Sequence, residues 1–154
     1  MTVEIERKFL VADSAFLAGR AGERLVQGYI ASTARATVRV RIAGEQGWLT
    51  LKGCTEGFSR REFEYPIPLA HAEAILAELC TGPLIDKTRY RVAHAGHEWE
   101  VDVFHGENAG LLLAEIELAR EDERFERPPW LGVEVSADPR YFNSNLAQRP
   151  YCHW

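Results

Sequence analysis

The sequence predicts a mainly β (α+β) fold made of antiparallel strands. Three observations predict it: side chains alternate with period two through most of the chain, glycine-containing turns separate the alternating runs, and helical spacing is confined to short stretches. Eight runs read as strands, near Val3–Val11, Arg24–Ala31, Arg35–Ala43, Gly47–Cys54, Arg60–Ile67, Asp86–Ala93, His97–Phe104 and Leu111–Arg120. Gly44-Glu45-Gln46-Gly47 and His94-Ala95-Gly96 read as hairpin turns, because glycine readily adopts the positive φ that such turns need. The clearest helix runs from Ala70 to Leu79, where Ala72, Ile75, Leu76 and Leu79 share a face. Pro128-Pro129 breaks the chain, a short strand is expected at Val133–Ser136, and Pro139–Leu146 is expected as a terminal helix. With no repeat, linker or low-complexity tract, residues 1–154 are expected to form a single domain.

Composition narrows the function classes. A chain of 154 residues can bury a genuine core, and 46% hydrophobic with 27% charged residues excludes a disordered class. The net charge of -5 argues against nucleic acid or an anionic membrane as partner, leaving room for a local basic cavity. Cys54, Cys80 and Cys152 are odd in number and form no CxxC, so they are expected as reduced thiols. The first residues alternate apolar and charged, without the apolar run of a signal peptide, and no stretch has the length of a membrane span. A cytoplasmic location is the resulting expectation.

The alternation carries the chemistry. One face of strand after strand is charged: Glu4, Glu6 and Lys8; Arg39 and Arg41; Thr50 and Lys52; Arg60, Glu62 and Glu64; Lys87, Arg89 and Arg91; Glu100 and Asp102; Glu115 and Glu117. The other face is apolar, with Val38, Val40 and Ile42 or Ala114, Ile116 and Leu118 as examples. For a single strand this reads as a sheet with its charges in water. Seven such strands together, nearly all Arg, Lys, Glu or Asp, read differently. Acidic pairs at i and i+2 put two carboxylates about 7 Å apart on one face. Such pairs oppose folding unless they are neutralised, and divalent cations suit carboxylate oxygen. Interleaved Arg and Lys leave places for a polyanion bridging to those cations. A barrel of about eight strands has an interior just wide enough for one small ligand, so the charged face is expected inside.

These motifs, in this order, resemble the CYTH-domain proteins, or triphosphate tunnel metalloenzymes, of the short bacterial kind. The most specific mark is Glu4-Ile5-Glu6-Arg7-Lys8 on the first strand. It is followed by Arg39-Val40-Arg41, Thr50-Leu51-Lys52, Glu62-Phe63-Glu64, Lys87-Thr88-Arg89, Glu100-Val101-Asp102 and Glu115-Ile116-Glu117. The resemblance covers nearly the whole chain. It implies a closed eight-stranded antiparallel β-barrel, a triphosphate tunnel with a charged interior and helices packed outside.

On that resemblance, Glu4, Glu6, Glu115 and Glu117 form the principal cation cluster, joined by Glu64 and Asp102, for Mg2+ or Mn2+, two ions per active site. Glu62, Glu64, Glu100 and Asp102 complete a second cation site or orient the attacking water, with Lys8 counted beside them as catalytic. Lys8, Arg39, Arg41, Lys52, Lys87 and Arg89 are the phosphate ligands, with Arg60 and Arg91 weaker candidates. Arg7 and Arg61 fall on the outer face; Tyr29 reads equally as a tunnel-narrowing or a core side chain. His94 and His97 flank a turn and lack further ligands for a metal. The implied activity is hydrolysis of a small-molecule triphosphate, inorganic tripolyphosphate first, since a short chain leaves little material for a base-recognition pocket. A class IV adenylate cyclase-like reaction, a thiamine or nucleoside triphosphatase and a noncatalytic polyphosphate-binding module are the alternatives. A homodimer is compatible with all of them.

Overall fold

In the computed structural model, which describes residues 2–154, the alternating runs become strands. In chain order come β1 (Thr2–Val11), β2 (Glu23–Ser32), β3 (Ala36–Ala43), β4 (Gln46–Gly53), β5 (Ser59–Ile67), α1 (Leu69–Glu78), β6 (Thr81–His94), β7 (His97–Phe104), β8 (Leu112–Glu117), β9 (Leu131–Glu134) and α2 (Asn143–Gln148). All pairings are antiparallel, in the order β5-β4-β3-β2-β6-β7-β8-β1, and β1 also pairs with β5. The eight strands therefore close into a barrel. The short β9 pairs with β1 at Phe9 and Val11, beyond the Thr2–Ile5 stretch that β5 occupies.

β8 ends at Glu117 rather than Arg120 and the short strand is Leu131–Glu134 rather than Val133–Ser136, and two further differences are larger. β6 begins at Thr81 rather than Asp86, because Thr81–Leu84 carries no alternation yet still pairs with β2 across a register shift between Gln27 and Tyr29. The predicted terminal helix is split into a 3₁₀ turn at Pro139–Tyr141 and α2, with Phe142 extended between them. The β6–β7 hairpin turns on Ala95 and Gly96, at φ of 48° and 81°. Both are positive, as a type I′ turn requires.

Outward-facing apolar residues need covers, and two are supplied. α1 lays Ala72 and Leu76 on Val40. On the opposite side the segment after β8 brings Leu118, Phe125 and Trp130 over Phe9, Trp99, Val101 and Ile116. There Trp99 is fully buried and meets Phe9, Phe125 and Trp130 edge to face at 5.6, 5.6 and 5.7 Å. Burying one such side chain contributes roughly 1.5–3 kcal/mol. His97 Nε2 and Glu123 Oε2, 2.6 Å apart, pin the covering segment, so His97 has a structural partner.

α2 has a different place. At one end of the barrel the inward positions turn from charged to apolar: Lys8 gives way to Leu10, Lys87 to Ile85, Asp102 to Phe104 and Glu115 to Leu113. These apolar residues and Tyr29 pack on Tyr141, Leu146 and Ala147. Of the two helices expected outside, α1 lies there, whereas α2 closes the barrel end, because that apolar rim needs cover from water. Gly82, at φ 72°, permits the approach: a Cβ there would lie 2.8 Å from the Ala147 carbonyl oxygen. Among the described residues, no helix is long and apolar enough to cross a membrane.

Candidate active site

Strand order sorts the inward charges around the barrel. The contiguous strands β5, β1, β8 and β7 contribute Glu62 and Glu64, Glu4 and Glu6, Glu115 and Glu117, and Glu100. The contiguous strands β4, β3, β2 and β6 contribute Lys52, Arg39 and Arg41, Tyr29, and Lys87, Arg89 and Arg91. One half of the wall is acidic, apart from Lys8 and Arg60, and the other is basic. Between them lies a cavity of about 300 Å³, at the small end of ligand-sized pockets.

On the acidic half, cross-strand register places Glu6 directly opposite Glu117, and Glu100 opposite Glu115. Burial, then the charges of Glu115 and Glu4, push the Glu6 carboxyl well above its ordinary range. Burial and the nearby Glu4, Glu62 and Glu100 raise Glu117. Two neighbours are better served. Burial also opposes ionisation of Glu4, but Lys52 Nζ at 2.9 Å and Arg60 Nε at 3.3 Å hold it below the ordinary value. Glu115 is likewise held low against burial by Lys8, at 3.3 Å, with help from Arg89 and Lys87. Converging hard carboxylate oxygens with two of their charges uncompensated form a donor set that fits Mg2+ or Mn2+.

The basic half is short of anions in the same way. Arg39 and Arg41 reach Glu64 only at 3.8 and 3.9 Å, and the buried Nε of each has no hydrogen-bond partner. Burial, then Arg39 and Arg89, push the Arg41 guanidinium down. Buried guanidinium donors left unpaired are costly, and a phosphate oxygen would satisfy them. Arg89 contrasts: it grips Asp102 bidentately at 2.8 and 2.9 Å and donates to Glu100 at 2.8 Å.

The structure brings the predicted site residues together on this wall, with one difference. Asp102, predicted as a cation ligand and catalytic carboxylate, is 1% exposed and stands behind the cavity surface, between Arg89 and Lys87, whose Nζ lies 2.9 Å away. Burial pushes Lys87 down to about 8 against the pull of Asp102. Arg7 and Arg61 lie outside; Arg7 pairs with Glu134 at the β9 edge. Tyr29 does both things expected of it, packing in the core while touching the cavity. Sequence reasoning missed Ser136, Phe142, Asn143 and Ser144, which follow β9 and reach the cavity from segments without charged alternation.

This arrangement can be set beside known proteins. The CYTH domain signature matches residues 2–151. The chain belongs to the CYTH domain family. A relative named inorganic triphosphatase, from Acetivibrio thermocellus, is 48% identical over 151 residues, covering 98% of this chain and 97% of its own length. Another of that name, from Nitrosomonas europaea, is 40% identical and covers 94% and 96%. A solved structure of an inorganic triphosphatase superposes with a TM-score of 0.69 at 37% identity, covering 96% of this chain and 95% of its own.

Proposed function

We propose that this CYTH cavity hydrolyses a linear triphosphate, inorganic tripolyphosphate first among them, to pyrophosphate and phosphate. The observation that carries the reading is the pair of opposed half-walls, each lacking counter-charge: unpaired Arg39 and Arg41 donors face carboxylates, Glu6 and Glu117, whose ionisation burial and neighbouring carboxylates oppose. A triphosphate complexed with divalent cations supplies both charges at once. The two relatives named inorganic triphosphatase support this substrate.

Arg39 and Arg41 bind phosphate oxygens, with Lys8, Lys52, Arg60 and Lys87 completing the anion sites. Glu4, Glu6, Glu115 and Glu117 would hold Mg2+ or Mn2+, which when bound withdraws charge from the phosphates and orders a water. Glu62, Glu64 and Glu100 orient the reacting groups from the same wall, while Asp102 positions Lys87 and Arg89 from behind. Water attacks the terminal phosphorus directly: its oxygen forms the new P–O bond, the bridging P–O bond breaks, and its electron pair leaves on pyrophosphate. The proton passes to solvent. Positioning and charge stabilisation suffice for such a loose transfer. Among the described residues, no histidine or cysteine lines the cavity to act as a covalent nucleophile. The reaction would take place in the cytoplasm on a small molecule.

The test offers tripolyphosphate, ATP and thiamine triphosphate with Mg2+ or Mn2+, then follows a single turnover in heavy-oxygen water. One labelled oxygen should enter the released phosphate and none the pyrophosphate. Cyclic nucleotide from ATP would move the protein to the cyclase chemistry, and a trapped phosphorylated side chain would exclude direct attack.

A further inference from the structure

Resting on a phosphate chain as the cavity's ligand, we propose that the segment Tyr141–Asn143 builds a seat for one free end of that chain, with Asn143 as the positioning residue. The donor arithmetic of two lysines carries this. An ammonium has three N–H donors. Lys8 Nζ donates to the Tyr141 carbonyl oxygen at 3.0 Å and is ion-paired with Glu115 at 3.3 Å. Lys87 Nζ donates to Asn143 Oδ1 at 2.9 Å and is ion-paired with Asp102 at 2.9 Å. With three N–H donors and two such contacts, each lysine keeps at least one N–H for the cavity, which both of them line. Donors from two lysines at the closed end suit the oxygens of one terminal phosphate.

Asn143 is held for this task. Gln27, fully buried, sends its Nε2 toward Asn143 Oδ1 at 3.5 Å and the Tyr29 hydroxyl at 3.3 Å. Asn143 Oδ1 thus faces Lys87, and as a neutral acceptor it fixes the ammonium without cancelling its charge. Below it nothing can pass, because Leu146 and Ala147 are 0% and 1% exposed within the apolar plug. A linear phosphate must therefore stop at Asn143 with an unsubstituted end, and any organic group must lie toward the other end of the cavity. A cyclic phosphate has no such end.

Calorimetric binding with Mg2+ present tests the seat, using the non-hydrolysable imido analogue of tripolyphosphate and, separately, trimetaphosphate. The linear analogue should bind at least about a hundredfold tighter than the ring. Asn143→Asp keeps the size and the acceptor, so a merely structural role predicts wild-type affinity. The seat predicts a loss of about tenfold or more, since a second carboxylate on Lys87, added to Asp102, leaves a net negative charge that repels phosphate. Asn143→Ala should lose a similar factor, and Arg61→Ala, on the outer face, none. Wild-type affinity in Asn143→Asp, equal binding of the ring, or no binding of the linear analogue would each overturn the proposal. Binding needs no turnover, so a wild type that seats the analogue yet hydrolyses nothing would defeat the hydrolase reading and leave the seat intact.

Discussion

Glu6 sits where the fold asks most of a single carboxylate, half-buried on the cavity wall, opposite Glu117 in register and close to Glu4 and Glu115. Its folded-state pKa is raised above the ordinary 4.5. A raised acid contributes stability that is fully present below the unfolded value and lost as pH rises through the folded one. The metal-free protein should therefore lose thermal stability as pH climbs above about 4.5, with Glu117 adding to the same trend. Glu6→Gln removes that charge without changing volume. In chelator at pH 8 it should melt about 2–4 °C above wild type, the shift that ~1 kcal/mol produces in a chain this size. At pH 4 the difference should vanish, while turnover falls about a hundredfold or more. Melting curves at the two pH values, with phosphate release, check this; a variant less stable than wild type at pH 8 would deny the repulsion. Glu6 was legible in the sequence because alternation assigns it a face, whereas Asn143 was not, because no periodicity assigns a face to a residue outside the strands.

Elements divide into those that cover the outside of the barrel and the one that enters it. Trp130 stacks on Phe16 at 4.3 Å and meets Trp99 at 5.7 Å, both on the outer face. Trp130→Ala should cost about 3–5 kcal/mol in urea unfolding while leaving KM near wild type. Leu146, fully buried in α2, anchors the segment that carries Asn143. Leu146→Ala should cost about 2–5 kcal/mol and also raise KM severalfold. Equal KM effects in the two variants would mean that α2 is only another cover. The strands and α1 were readable to within a few residues, since period-two and helical spacing are local properties. The start of β6 was not, because Thr81–Leu84 is held in place by pairing across a register shift rather than by its own pattern.

The whole barrel couples what its strands hold separately. Cations on the acidic half and phosphates on the basic half each relieve a field that the other strengthens, so their binding should be cooperative and, by linkage, reciprocal. Saturating Mg2+ should tighten the imido analogue by about tenfold or more, and the analogue should tighten Mg2+ by the same factor. Titrations in both orders measure the two factors; independent binding would mean that the half-walls do not share one ligand. The sequence by itself determined the strands, their charged faces and the inward set Glu4, Glu6, Lys8, Arg39, Arg41, Glu115 and Glu117, because alternation is written residue by residue. Only the tertiary structure decided which strands are neighbours, and so that the carboxylates gather on one half and most basic side chains on the other. It alone withdrew Asp102 behind the wall and sent α2 into the barrel end. Those outcomes depend on closure and on contacts between residues far apart in the chain, such as Lys87 with Asn143, and local spacing carries no record of them.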